Sequence, residues 1–131
     1  MSPALLNIYN SGICLFQNDR VLYKEIGIIL KSDDGFLLGS KAMDSRRILP
    51  KNINHDFWSN LSEAKIQSSS FSNYSSADLV SYQLKEALQF INNNDPIIII
   101  YPSYLDSENL SLLLGIANAL NIKIITFIES S

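Results

Sequence analysis

The sequence predicts an α/β fold with a mixed sheet of about five strands in the order β-β-β-α-β-α-β and helices on its faces. Three observations carry this. The first third alternates short apolar runs with turn-forming residues. The last half holds one continuous β-branched run, residues 97–101, between two stretches with helical apolar spacing. A serine-rich, irregular insert, about residues 40–76, separates the two parts. We read all of residues 1–131 as a single domain.

Each element has a local reason. Residues 4–9 (ALLNIY) form an apolar strand, broken by Asn10, Ser11 and Gly12. Residues 13–17 make a second strand, and Asn18-Asp19 is a two-residue turn that closes a hairpin. Residues 20–30 read as one longer strand, with Gly27 marking a bulge or a close approach. Asp33, Asp34 and Gly35 make the next turn, and residues 36–39 are extended. In the insert, residues 42–48 predict a short helix stopped by Pro50. Residues 55–61 predict another, carrying Phe57, Trp58 and Leu61 as an apolar patch. Residues 67–76 read as a loop.

Ser75 with Asp78 three residues later is a capping-box pattern, so a helix starts there. Leu79, Tyr82, Leu84, Ala87, Leu88 and Ile91 follow at near-helical spacing. The IIIIY run suits a strand buried on both faces. Asp106 or Ser107 caps a second helix with Leu110, Leu113, Leu114, Ala117 and Leu120 on its apolar side. Asn121 suits a left-handed helix end, and residues 122–128 make the last strand.

Composition excludes several function classes. Of the 131 residues, 47% are hydrophobic and 18% charged, so the chain can fold around a core. The net charge of -3 gives no electrostatic basis for nucleic-acid binding. Arg46, Arg47 and Lys51 are the only basic cluster and read as solvated surface. The lone cysteine, Cys14, cannot make an internal disulfide and reads as a small buried hydrophobe. The apolar runs are too short for a membrane span, and the first residues lack a signal-peptide pattern. The expectation is therefore a cytoplasmic protein with no membrane or nucleic-acid partner. His55 is the sole histidine, so a catalytic triad has little support, and no His or Cys pair has metal-ligand spacing.

The element order is that of the ribonuclease-H-like fold. The last third is also similar to DnaK-type chaperones, whose nucleotide domain is an actin-like ATPase. That family has a strand ending in Val-Pro-Ala-Tyr, a helix, and a strand running into Asn-Glu-Pro-Thr. Here residues 97–104 read IIIIYPSY and residues 122–131 read IKIITFIESS, so Glu129 falls on the family's glutamate. Residues 35–50 resemble, more loosely, the segment of a strand, a short helix and Asn-Pro. The resemblance covers the first lobe of the ATPase domain.

The resemblance implies ATP or ADP with magnesium held between two lobes, the phosphates lying on the first hairpin. The matching positions are Asn10, Ser11, Gly12 and Ile13, with Glu129 as the residue that positions the attacking water. Several departures argue against hydrolysis. Asn10 stands where the family has the magnesium-shell aspartate and lacks its charge. The Thr-rich turn after the glycine is replaced by Ile13-Cys14-Leu15, which suits an ordinary tight hairpin. No lysine lies near residues 55–58; Lys51 is the nearest and is out of register. Asn10 also removes a carboxylate that a two-metal nuclease would need. The sequence thus implies a DnaK-like lobe that does not hydrolyse ATP alone and needs a second lobe or a partner protein. The alternative is a non-catalytic binding or assembly module that reuses the fold.

Overall fold

The computed structural model describes residues 2–9, 11–32, 35–45, 52–68, 70–92 and 94–130. It is a mixed α/β structure. Five strands form the main sheet in the order β3-β2-β1-β7-β8. These are β1 (Ala4–Tyr9), β2 (Gly12–Gln17), β3 (Arg20–Ile26), β7 (Ile97–Tyr101) and β8 (Ile124–Glu129). β1 pairs antiparallel with β2, and β2 with β3, while β1, β7 and β8 run parallel. The β2–β3 turn is Asn18-Asp19, with φ of 54° and 63°. Asn and Asp tolerate this left-handed pair, which matches the twist of a hairpin.

Two helices link the parallel strands. α2 (Ser76–Ala87) opens with the expected capping box between Ser75 and Asp78. α3 (Ser107–Ala119) opens with a second box, Asp106 with Asn109. Each box satisfies amides that the first helical turn leaves unpaired. Asn121, at φ 60°, turns the chain out of α3 towards β8. Both helices pack on one face of the sheet. Leu6, Ile8, Ile13, Leu15, Ile97 and Ile99 from the strands bury against Leu79, Val80 and Leu84 of α2 and Leu113 and Ala117 of α3. Full burial of one such side chain contributes about 1.5–3 kcal/mol.

The expected long third strand is two strands. β3 ends at Ile26, and β4 (Ile29–Ser32) belongs to a second, three-stranded sheet in the order β5-β4-β6. β5 is Gly35–Leu38 and β6 is Ile53–Asn54. The break has a long-range cause. The Gly27 N–H donates to Ser11 O at 2.7 Å, and Ile28 O accepts from the Gly39 N–H at 3.0 Å. Gly27 is also flat against the Trp58 indole, where a Cβ would lie 2.8 Å from Cδ1.

The insert differs from expectation in one more place. Helix α1 (Ser40–Ser45) is present, although residues 46–51 lie outside the described residues. Residues 55–61 form a turn rather than a helix. Its Asn60 N–H reaches Asp56 O, while Phe57, Trp58 and Leu61 are buried.

A buried amide joins these parts. Gln83 of α2 is fully buried; its Oε1 accepts from Trp58 Nε1 at 2.7 Å and its Nε2 donates to Ile26 O at 2.9 Å. Tyr23 OH lies 3.4 Å from the same Nε2 and donates to Glu86 Oε2 at 2.6 Å. Burial and the Glu86 bond push the Tyr23 phenol far above its ordinary value. Replacing Gln83 with Leu would leave the Trp58 N–H and the Ile26 carbonyl buried and unpaired. We expect Gln83→Leu to lower stability by about 2–4 kcal/mol, read by urea denaturation. Tyr23 also adds a pH dependence. Above the ordinary phenol value of 10.0 the unfolded chain loses the proton that the folded chain retains, so stability falls as pH rises through that value. Tyr23→Phe is expected to flatten this alkaline decline in a series of denaturation curves.

Candidate functional site

In open α/β sheets, ligands bind outside the carboxyl ends of the parallel strands, where the strand order reverses. Here that place lies between β1 and β7. β1 continues sideways into β2, and β7 continues through α3 into β8 on the other side. The chain brings Tyr9, Ser11 and Gly12, Tyr101 and Tyr104, and Glu129 to this one end.

The crevice is bridged. Tyr104 OH donates to Tyr9 O at 3.4 Å, across the gap between the two strands. Burial pushes the phenols of Tyr104 and Tyr9 upward, and the charges of Cys14 and Glu25 add to the effect on Tyr9. On the far side, the Ser130 N–H and hydroxyl both donate to Tyr101 O, at 2.8 and 3.1 Å. This ties the end of β8 down. Glu129 pairs in register with Tyr101 and is exposed. It stands two strands from β1, roughly 10 Å at the ordinary strand spacing.

The hairpin residues serve the sheet. Asn10 lies outside the described residues, as does Lys51. The Ser11 carbonyl is occupied by Gly27 N–H. Gly12 already pairs with Tyr9 on one side and Ile26 on the other. A Cβ on it would lie 2.2 Å from Glu25 O and 2.8 Å from Ile26 Cα, so the glycine is there to let β2 and β3 approach. Ile13 is wholly buried and points into the core. A strand flanked on both sides spends its N–H groups on the ladder, so β2 from Ile13 onward has none to offer a phosphate.

No known protein-family model matches the chain. None of the curated proteins compared with it matches its sequence.

Sequence reasoning missed Glu25, and it placed Tyr104 in the IIIIYPSY motif without its bond to Tyr9. Glu25 Oε1 accepts from the Ser40 N–H at 2.9 Å and so fixes the start of α1. It also fills the space beside Gly39, whose φ of 61° turns β5 into α1. A cavity of ≈ 320 Å³ opens beside it, lined by Tyr9, Lys24, Glu25, Ile26, Met43 and Asp44 among others. Neither contact has a local sequence signal, because each joins segments distant along the chain. His55 is exposed. Among the described residues, no group of three or more His, Cys, Asp or Glu is placed to hold a metal ion.

Cys14 is buried on β2, and burial pushes its thiol up despite the opposing charge of Lys24. The thiolate is therefore disfavoured, and we expect native Cys14 to react with a thiol reagent only at the rate of unfolding. Gly12→Ala is expected to cost about 1–3 kcal/mol, because backbone atoms must move to admit the methyl group. Thermal denaturation of the variant measures this.

Proposed function

We propose that this chain is a lobe of the actin-like ATPase type, related to the first lobe of DnaK-type chaperones, that acts by binding protein and does not hydrolyse ATP on its own. The order β3-β2-β1-β7-β8, with the first hairpin antiparallel and the last strands parallel, supports the ribonuclease-H-like part of this reading. The IIIIYPSY segment at the end of β7 and Glu129 at the end of β8 support the family.

One observation carries the non-hydrolytic part. From Gly12 onward the hairpin that the resemblance assigns to phosphate is packed into the sheet, with Gly12 against the β3 backbone and the carbonyl of the exposed Ser11 bonded to Gly27. Phosphoryl transfer depends on preorganised N–H groups and a magnesium shell, and this hairpin directs its backbone inward. ATP or ADP with magnesium would thus have one wall and few donors. A second lobe supplying the other wall would use Glu129, which is exposed at the right edge to face it. The binding role rests on the opposite feature, a largely apolar sheet face without a helix over it.

No helix among the described residues is long and apolar enough to cross a membrane. The cytoplasm remains the proposed location, from the single unpaired cysteine.

Isothermal calorimetry of the chain with Mg-ATP and Mg-ADP tests the reading. The expected result is no binding heat at high protein concentration. A dissociation constant in the micromolar range or tighter would overturn it and return the chain to the nucleotide-binding class.

A further inference from the structure

The two faces of the main sheet are treated differently. α2 and α3 both cover the face that carries Leu6, Ile8, Ile97 and Ile99. The strand registers place two rows on the other face. One runs Val21, Phe16, Leu5, Ile98, Thr126; the second runs Lys24, Cys14, Asn7, Ile100, Ile128. Val21 is 55% exposed, Ile128 50% and Leu5 37%. Ile125, in the irregular step of β8, is 51% exposed. A depression of ≈ 350 Å³ between Pro3, Leu5, Phe16 and Ile100 opens on the same face. Parallel strands are ordinarily covered on both faces, and an apolar patch of this kind marks a contact surface.

We infer that this face is the contact surface for a second copy of the chain, packed sheet on sheet about a two-fold axis. Charge permits it. Of the ten positions in the two rows only Lys24 is charged, and it sits on the marginal strand β3, where it can reach solvent. The one carboxylate lining the depression, Asp19, lies in the exposed β2–β3 turn at the same margin, where it too can reach solvent, and the net charge of -3 per chain adds little repulsion. Shape permits it as well. Two aligned sheets cross at about −30° with interdigitating side chains, and the depression beside Leu5 offers room for a partner's side chain. The area sets the strength. Five strands about 4.8 Å apart and roughly 20 Å long give a footprint of about 480 Å² per copy, or about 1,000 Å² in all. That is the floor for a specific interface, so the dimer is weak and concentration-dependent. A two-fold contact of one face with itself closes and does not polymerise.

The inference names a partner for the proposed binding role but stands apart from the nucleotide question. Nucleotide binding by the chain would sink the proposed function and leave this contact untouched. A strictly monomeric chain would sink this inference and leave that reading in place.

Sedimentation equilibrium over a wide concentration range is the test, on the wild-type chain, Leu5→Glu, Ile128→Glu and, as a control on the helix side, Leu114→Glu. All three substituted positions are partly exposed, so folding should survive, and circular dichroism checks it. The expected result is a reversible monomer–dimer equilibrium. Leu5→Glu and Ile128→Glu should each raise the dissociation constant about tenfold or more, by burying an unpaired carboxylate, and Leu114→Glu should leave it unchanged. A chain monomeric at every concentration overturns the inference. So does a dimer that survives both face variants, which would associate elsewhere, the open edge of β8 included.

Discussion

Gln83 holds the architecture together at the point where its three parts meet. Its side-chain amide accepts from Trp58 of the insert and donates to the last carbonyl of β3, while its backbone belongs to α2. A buried amide is costly unless all its groups are paired, and here among the described residues no buried side-chain polar atom lacks a partner. The geometry is therefore specified sharply. β3 must end at Ile26, the insert must fold back over Gly27, and α2 must sit across the antiparallel half of the sheet. Hydrophobic burial supplies more of the stability, but it is non-directional and would tolerate other arrangements.

That constraint reaches the functional edge. With Trp58 pressed on Gly27, the Gly27 N–H is held against Ser11, and Gly12 is drawn onto β3. From Gly12 to Leu15 the hairpin is buried in the sheet, while Ser11 stays exposed. The same sheet has one face buried under both helices and the other open. The β2 side of the first hairpin is thus closed, and apolar side chains stay exposed on the uncovered face.

Much of the fold was legible because its signals are local. Ser75 with Asp78, the Asn18-Asp19 turn and Asn121 each act within a few residues, and each appears as read. The IIIIY run was legible as a strand, but its expected burial on both faces was not met, since Ile98 and Ile100 are only half-buried. The break at Gly27 was illegible. Residues 20–30 have strand composition throughout, and the interruption comes from Ser11, Gly39 and Trp58, all distant in sequence. The turn at residues 55–61 failed for a similar reason, because Trp58 is pulled towards Gln83 instead of lying on a helix face. At the candidate site, the sequence shows that Asn10-Ser11-Gly12 lacks the charge of an Asp-x-Gly turn. Why the glycine is needed becomes visible only when Glu25 stands beside it.

The claim that the first hairpin is sealed into the core, and not held open for a ligand, meets its most direct test in native-state amide hydrogen exchange across Gly12 to Leu15, with and without Mg-ATP. A sealed hairpin exchanges only through global unfolding, at the same free energy as Leu6 and Ile99, and nucleotide changes nothing. Fast exchange at these amides that slows when Mg-ATP is added would contradict the account.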